Sequence, residues 1–152
     1  MTSANPWPAD VTAEEVASAQ AALAAYAGYW QMVDSAVAKP TQDWAAAIAE
    51  YAAGPAERDM LDTLSQLTSR GRYASGYTMI SPIVTKIEPG MVSITDCIDK
   101  SSADLLDLQG NSVRAPDVQG TYLRHPSDVQ MTQLTDGRWV VAFSTDNWSI
   151  TC

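Results

Sequence analysis

The stretch Ser69-Arg-Gly-Arg-Tyr-Ala-Ser-Gly76 separates two parts of the chain that differ in composition. Before it, alanine recurs in short runs such as Ala21-Ala-Leu-Ala-Ala25, and alanine is the best helix former. After it, alanine is rare, and Val, Ile, Thr, Tyr and Trp predominate, which favour strands. A run of helices followed by a run of strands is typical of an α+β domain, and we predict that class here.

Three helices are predicted before this boundary. Thr12-Ala-Glu-Glu15 has the capping-box pattern, and apolar residues at helical spacing follow it. The first helix is therefore expected over about 13–38, and Lys39-Pro40 ends it. Residues 1–11 are predicted to be an extended N-terminal segment, and residues 12–152 a single domain.

The other two helices have weaker signals at their ends. Thr41 is expected to cap a second helix over about 42–53. Gly54-Pro55 begins a third helix, because proline is favoured at the first helical position. Gly71 is expected to close that helix in the left-handed conformation.

The second part of the chain is predicted to form an antiparallel sheet. Two of its strands, about 122–124 and 129–134, are expected to pair around His125-Pro126. Asp136-Gly137 predicts a type I′ hairpin, in which both residues have positive φ. Segment 112–119 is expected to be irregular. The remaining predicted strands are about 77–87, interrupted at Pro82, then 91–98 and 138–150.

The charge balance excludes some partners. Eighteen acidic residues and nine Lys and Arg residues give a net charge of -9. A free nucleic-acid binder normally carries a basic stripe, and none is present, so we expect no nucleic-acid partner. No run reaches the ~20 apolar residues of a membrane span. We interpret the acidity as serving solubility.

The two cysteines, Cys97 and Cys152, are either free thiols or one disulfide. With one histidine and no CxxC motif, the chain lacks the ligands of a Cys/His zinc site, and we predict no metal. No G-x-G-x-x-G or Walker loop occurs, and we predict no cofactor. A cysteine at the chain end, flanked by strand-like sequence, favours the disulfide, which would stabilise by about 4 kcal/mol. Such a bond implies an extracytoplasmic setting, with any leader already removed.

The order of several short motifs resembles a known family. A Tyr- and Trp-rich first helix precedes Asp96-Cys97-Ile98-Asp99, then Asp136-Gly137-Arg138-Trp139, and Cys152 closes the chain. Over roughly residues 15–152 this resembles the NTF2-like (cystatin-like) small exported proteins of actinobacteria and their phages. The resemblance implies three helices packed on a curved antiparallel sheet, and a bond between Cys97 and Cys152. The lipobox of lipoprotein-like members is missing.

Asp96 is the strongest candidate for chemistry. On strand 91–98 it shares a face with Val92, Ile94 and Ile98, which is expected to be the inner face of the curved sheet. We call the space between this face and the helices the cone, and we expect Asp96 inside it, where loss of water raises its pKa. The resemblance implies a possible role as acid or base, since isomerases of the superfamily use such a carboxylate. The structural alternative, which we favour, is that Asp96 pairs with an arginine or accepts a hydrogen bond from a backbone N–H.

Other polar and aromatic residues have less specific signals. The resemblance implies that Tyr26, Tyr29 and Trp30, on the first helix, line a ligand pocket in which Asp96 is the polar group. Aromatic residues at this spacing more often form plain core. Trp44 and Tyr51 are expected to be core for the same reason. Asp99 is expected to form a turn. His125 is expected to lie at the surface or to pack against a loop.

Two classes of function are compatible with these residues. We favour a non-catalytic binding module at the cell envelope or on a phage, which binds a small apolar ligand, or a protein partner or second copy through the sheet face. The alternative is an isomerase, dehydratase or hydrolase on a small hydrophobic substrate, with Asp96 as acid/base and Tyr26 or Tyr29 as donor. A closed cone favours the first class, and an open pocket of ~300 Å³ above Asp96 favours an enzyme or a ligand carrier.

Overall fold

The structure is a computed structural model that describes residues 4–114 and 121–152. Its helices all precede its strands, which confirms the predicted α+β class. The helices are α1 (Ala13–Ala38), α2 (Ala45–Tyr51) and α3 (Gly54–Arg70). The strands are β1 (Arg72–Gly76), β2 (Ile83–Glu88), β3 (Met91–Asp99), β4 (Ala103–Asp107), β5 (Arg124–Gln133) and β6 (Trp139–Asp146). No helix in the described ranges is long and apolar enough to cross a membrane.

The strands form one four-stranded antiparallel sheet and one two-stranded ribbon. The sheet has the order β2-β3-β5-β6, and the ribbon pairs β1 with β4. The pairing of β3 with β5 extends from Met91↔Thr132 to Asp99↔Arg124. Val84 in β2 donates its N–H to Pro6 O (2.7 Å), so the N-terminal segment contacts the free edge of that strand.

The first helix packs across the inner face of the sheet. Both hydrogen bonds of the capping box between Thr12 and Glu15 are present, at 3.1 Å, which confirms the predicted start. Its small side chains allow close approach to the sheet, and its large ones fill the core. The buried residues of α1 are Ala19, Ala22, Tyr26, Tyr29, Met32, Val33 and Ala36.

The second helix is shorter than predicted, and Thr41 does not cap it. Helix α2 begins after Trp44, because the Asp43 side chain accepts the N–H of Ala45 (3.1 Å) in a local turn. The Trp44 indole N–H donates to Lys39 O (2.9 Å). The end of α3 is as predicted, with Gly71 in the left-handed conformation at φ 63°.

The predicted strand 77–87 is wrong as a single element. Strand β1 ends at Gly76, where any Cβ would overlap Ser102 O, and β2 begins only at Ile83. Between them the Asp34 carboxylate accepts the N–H of Thr78 (3.0 Å), and Asp96 accepts that of Ser81 (2.6 Å). Side-chain acceptors therefore bind N–H groups that a continuous strand would use for pairing. Strand β4 was not predicted.

The prediction that two strands pair around His125-Pro126 is also wrong, because β5 runs without a break from Arg124 through Pro126 to Gln133. Pro126 O accepts the N–H of Asn147 (2.9 Å), one residue beyond the end of β6. Proline has no N–H, and the position that an N–H would occupy faces the same side, beyond the end of β6. Little pairing between β5 and β6 is therefore lost at Pro126. Strand β6 ends at Asp146 and not at the predicted residue 150. Part of the segment 112–119 lies outside the described residues.

The turn before β6 is a hairpin, but not of type I′. Gly137 has φ 92°, whereas no other residue type in the described ranges has positive φ. Gly137 donates to Leu134 O (2.9 Å), and Leu134 donates to Arg138 O (2.8 Å). This pattern is a three-residue loop with a glycine bulge, in which only glycine needs positive φ.

Gly137→Val is expected to lower the free energy of unfolding by about 1–2 kcal/mol, because a β-branched residue resists the left-handed region. Urea denaturation measures the difference. Thr135→Val is the matched control in the same exposed loop, and it should change stability by less than about 0.5 kcal/mol. Equal effects of the two substitutions would contradict this account.

Candidate functional site

Asp96 lies on the inner face of β3 and is 2% exposed. Its two carboxylate oxygens accept different donors: Tyr26 OH on α1 at 2.6 Å, and the N–H of Ser81 at 2.6 Å. Asp96 therefore accepts a hydrogen bond from a backbone N–H, as the structural interpretation predicted. It also accepts one from a tyrosine hydroxyl, as the catalytic interpretation predicted. No arginine forms a salt bridge with Asp96 in the described part of the chain.

The burial of this pair changes its acid–base behaviour. Burial raises the pKa of Asp96, although the hydrogen bonds from Tyr26 and Ser81 act in the opposite direction. Burial, and then the nearby Asp96 charge, raise the pKa of Tyr26, so its hydroxyl remains a donor. Burial also raises the pKa of Tyr29 to about 12. The site therefore contains one poorly hydrated carboxylate and two protonated phenols.

Three aromatic rings of α1 surround this hydrogen bond. Trp30 meets Tyr26 and Tyr29 edge-on, at ring-centroid distances of 6.5 and 5.5 Å. The Lys100 ammonium lies 4.8 Å from the Trp30 ring centroid, within cation–π range. Burial lowers the pKa of Lys100, while the charges of Asp34 and Asp146 favour its protonated form. These rings make an apolar wall with a cation at one side.

Strands β5 and β6 contribute further polar groups on the inner face. Ser127, the register partner of Asp96, donates to Asp146 Oδ1 at 2.5 Å. His125 is fully buried, with Nδ1 3.0 Å from Tyr122 O and its ring stacked on Trp148 at 3.8 Å. The predicted surface location of His125 is therefore wrong, while loop packing is right, because Trp148 lies in the C-terminal segment after β6.

We call this set of residues the cone cluster; its members are Tyr26, Tyr29, Trp30, Asp96, Lys100, His125, Ser127 and Asp146. Lys100, Ser127 and Asp146 were not predicted. The alternation of His125, Ser127, Val129 and Met131 could have revealed Ser127, had His125-Pro126 not been interpreted as a break.

Two buried polar atoms of the cone cluster have no hydrogen-bond partner. Among the described residues, Trp30 Nε1 and His125 Nε2 are the only buried side-chain nitrogen or oxygen atoms without a hydrogen-bond partner. The Trp30 N–H lies near enough to the Tyr26 hydroxyl to lower its pKa, but it does not reach hydrogen-bond geometry. Leaving such an atom unpaired costs about 1–3 kcal/mol. These two atoms are therefore the unsatisfied hydrogen-bonding groups of the cluster.

The described cavities lie outside the cone cluster. One, of about 390 Å³, is lined by Trp44 between α2 and α3, and another, of about 320 Å³, lies on the outer face of the sheet. Tyr51 packs against Gly28 of α1, and Trp44 and Tyr51 are both partly buried against the core, as predicted. Asp99 accepts the N–H of Ser101 (2.8 Å) in the predicted turn. No group of three or more metal-ligating residues occurs in the described ranges.

The Cys97–Cys152 disulfide confirms the predicted pairing. Cys97 points to the outer face of β3, opposite to Asp96. Tyr122 donates its N–H to Trp148 O (2.8 Å), so the segment from Asn147 to Cys152 is held at both the inner cluster and the outer face.

Three helices on an antiparallel sheet around a cluster of this kind constitute the NTF2-like α+β fold, and solved structures support the assignment. The intermembrane space region of chloroplast protein ARC6 matches with a TM-score of 0.62 and 17% identity, over 86% of this chain and 97% of that one. A ketosteroid isomerase-like protein from Erwinia carotovora atroseptica matches with a TM-score of 0.51 and 13% identity, over 89% and 98%.

A Catenulispora acidiphila protein in complex with S-DNPA also matches, with a TM-score of 0.53 and 11% identity, over 86% of this chain and 92% of that one. Because these identities are low, the likeness shows the fold alone. No profile of a known protein family matches the chain, and neither does any curated protein.

Proposed function

We propose that the protein is a non-catalytic NTF2-like binding module and that its cone cluster binds a small, mainly apolar ligand with one polar group. The observation that carries this proposal is the pair of unpartnered atoms, Trp30 Nε1 and His125 Nε2. The rings of Tyr26, Tyr29 and Trp30 supply the apolar walls that such a ligand needs. The bound ligand of the Catenulispora acidiphila protein adds support from the fold.

A binding role fits the state of Asp96 better than a catalytic role. A general base must reach the proton that it removes, but both oxygens of Asp96 are engaged by Tyr26 and Ser81. None of the described cavities is lined by Asp96, Trp30 or His125, so either function requires the cone cluster to open before a molecule enters. The carboxylate therefore serves to hold α1 against β3 in our proposal.

The alternative function is an isomerase, dehydratase or hydrolase in which Asp96 acts as acid or base and Tyr26 donates a hydrogen bond. The raised pKa of Asp96 favours it, because a carboxyl that titrates nearer neutrality transfers protons more effectively. Like ligand binding, it requires the cone cluster to open, and in addition a substrate must displace Tyr26 or Ser81 from Asp96.

We further propose an extracytoplasmic location, at the cell envelope or on a phage particle, because the disulfide persists in oxidising compartments. A protein partner or a second copy on the outer sheet face has less support. Ile83 and Phe143 are exposed there on the two edge strands, with polar residues between them, so the face lacks a continuous apolar centre.

The test is NMR of the Trp30 indole N–H during titration with cyclohexanone and 2-decalone. We expect the resonance, assigned by its loss in Trp30→Phe, to move with the ketones, which accept its hydrogen bond. The hydrocarbons cyclohexane and decalin, as matched controls, should leave it nearly unmoved. Trp30→Phe should weaken ketone binding about tenfold.

Asp96→Asn tests whether the carboxylate contacts the ligand. A binding module should keep its affinity for 2-decalone in this variant, since Asp96 is not a ligand contact in the proposal. Loss of ketone binding in Asp96→Asn, or unchanged affinity in Trp30→Phe, would overturn the assignment of the site.

A further inference from the structure

The outer face of the sheet carries two rows of side chains in register, all of them polar except Phe143. Thr95, Asp128 and Thr145 are paired across β3, β5 and β6. Ser93, Gln130 and Phe143 form the neighbouring row, two residues further along the strands. We call these six residues the outer array. With Thr85 they line the shallow cavity of about 320 Å³.

The spacing and chemistry of the outer array suit a ligand with many hydroxyl groups. Neighbouring strands lie about 4.8 Å apart, and residues two apart on one strand lie about 6.6 Å apart, so the polar groups form a grid. Hydroxyls and the Gln130 amide both donate and accept, while Asp128 accepts. No lysine or arginine lines the cavity, which argues against an anionic ligand.

These polar groups are only weakly engaged within the protein. Thr95 Oγ1 donates to Asp128 Oδ1 at 3.3 Å, which is long for a hydroxyl donor. Gln130 Nε2 contacts the sulfur of Met91, a weak acceptor. A ligand that offers hydroxyl groups can replace such contacts at little cost.

Phe143 supplies an apolar platform in the same cavity. Its side chain is 53% exposed, in the row that contains Gln130. A sugar ring has an apolar C–H face and hydroxyl groups around its edge. When the C–H face covers Phe143, the edge hydroxyls point toward Asp128 and Gln130.

We propose that the outer array is a binding site for a neutral saccharide, separate from the cone cluster and independent of the function proposed for it. A second copy of the chain fits this face less well. It would bring two Asp128 carboxylates toward one interface in a protein of net charge -9, with Phe143 as the only large exposed apolar side chain of the array.

The experiment is an NMR titration of the ¹⁵N-labelled, oxidised protein with cellotetraose and with chitotetraose, each to about 20 mM, a range that detects millimolar affinity. We expect at least one of them to shift the amides of the outer array and to leave those of the cone cluster unchanged. Phe143→Ala and Asp128→Asn should each weaken binding about tenfold, because both residues are exposed and their replacement leaves the core intact.

The matched control is Leu108→Ala, which removes an apolar side chain on another surface that is even more exposed, at 74%, and this variant should bind as the unaltered protein does. No shift with either sugar, or shifts that Phe143→Ala does not weaken, would overturn the proposal. Signals of the outer array that broaden with protein concentration alone would assign the face to a second copy instead.

Discussion

The double variant Cys97→Ser/Cys152→Ser is expected to lose about 2–5 kcal/mol of unfolding free energy. The disulfide joins residues 55 positions apart, so its removal frees a long loop in the unfolded chain. The folded state is also affected, because the segment after β6 loses its anchor at Cys97. Its contacts with the cone cluster through Trp148 then depend on the stack with His125 and on one backbone hydrogen bond.

Urea denaturation of the double variant and of the unaltered protein, each with and without reductant, measures this loss. Reductant should destabilise the unaltered protein by the same amount and leave the variant unchanged. Reactive thiols in protein purified without reductant, or a loss below about 0.5 kcal/mol, would contradict the prediction.

Tyr26→Phe is expected to destabilise the protein by about 1.5–3 kcal/mol at pH 7. It removes the donor at 2.6 Å from Asp96 Oδ2 and leaves a buried carboxylate oxygen without a hydrogen bond. Tyr29→Phe is the matched control on the same helix, because the Tyr29 hydroxyl has no hydrogen bond among described residues; it should cost less than about 0.5 kcal/mol.

The effect of Tyr26→Phe should also depend on pH. Because the pKa of Asp96 is raised in the folded state, its contribution to stability is fully present below about pH 3.8 and is lost as pH rises through the raised pKa. The hydrogen bond from Tyr26 limits the rise in the pKa of Asp96 by stabilising the charged carboxylate. Tyr26→Phe should therefore lower the free energy of unfolding more at pH 7 than at pH 4. Asp96→Asn should flatten the dependence, since the amide can serve both neighbours without a charge.

Unfolding free energies at pH 4 and pH 7 for Tyr26→Phe, Asp96→Asn and the double variant decide this. The effect of Tyr26→Phe should be smaller, and independent of pH, when Asp96 is already asparagine, because a neutral amide then takes the place of the buried charge. An equal cost of Tyr26→Phe in both backgrounds would show that the hydroxyl does not act through Asp96.

Local patterns in the sequence predicted the helices and the central strand well. The capping box at Thr12 fixes the start of α1 by two short-range hydrogen bonds, and such signals depend on few residues. The alternation on β3 placed Asp96 inside and Cys97 outside because the strand is long and one of its faces is buried. The disulfide followed from the position of Cys97 and the family resemblance.

The errors lie where distant contacts decide the structure. Pro126 is tolerated inside β5 only because β6 ends beside it, and no local signal shows where β6 ends. The segment between Gly76 and Ile83 is not a continuous strand, because Asp34 and Asp96, far away in sequence, accept the N–H groups of Thr78 and Ser81. The meeting of Ser127 with Asp146, and of Lys100 with Trp30, likewise depends on the whole fold.

The disulfide also determines how the molecule responds to mechanical force. Cys152 is bonded to Cys97 in β3, so tension applied at residue 152 passes directly into the interior of the sheet. The 55 positions between the two cysteines cannot extend while the bond is intact, which withholds about 190 Å of contour length. A load between residue 4 and residue 152 would therefore be opposed at β3, and strands β5 and β6 would remain shielded from it.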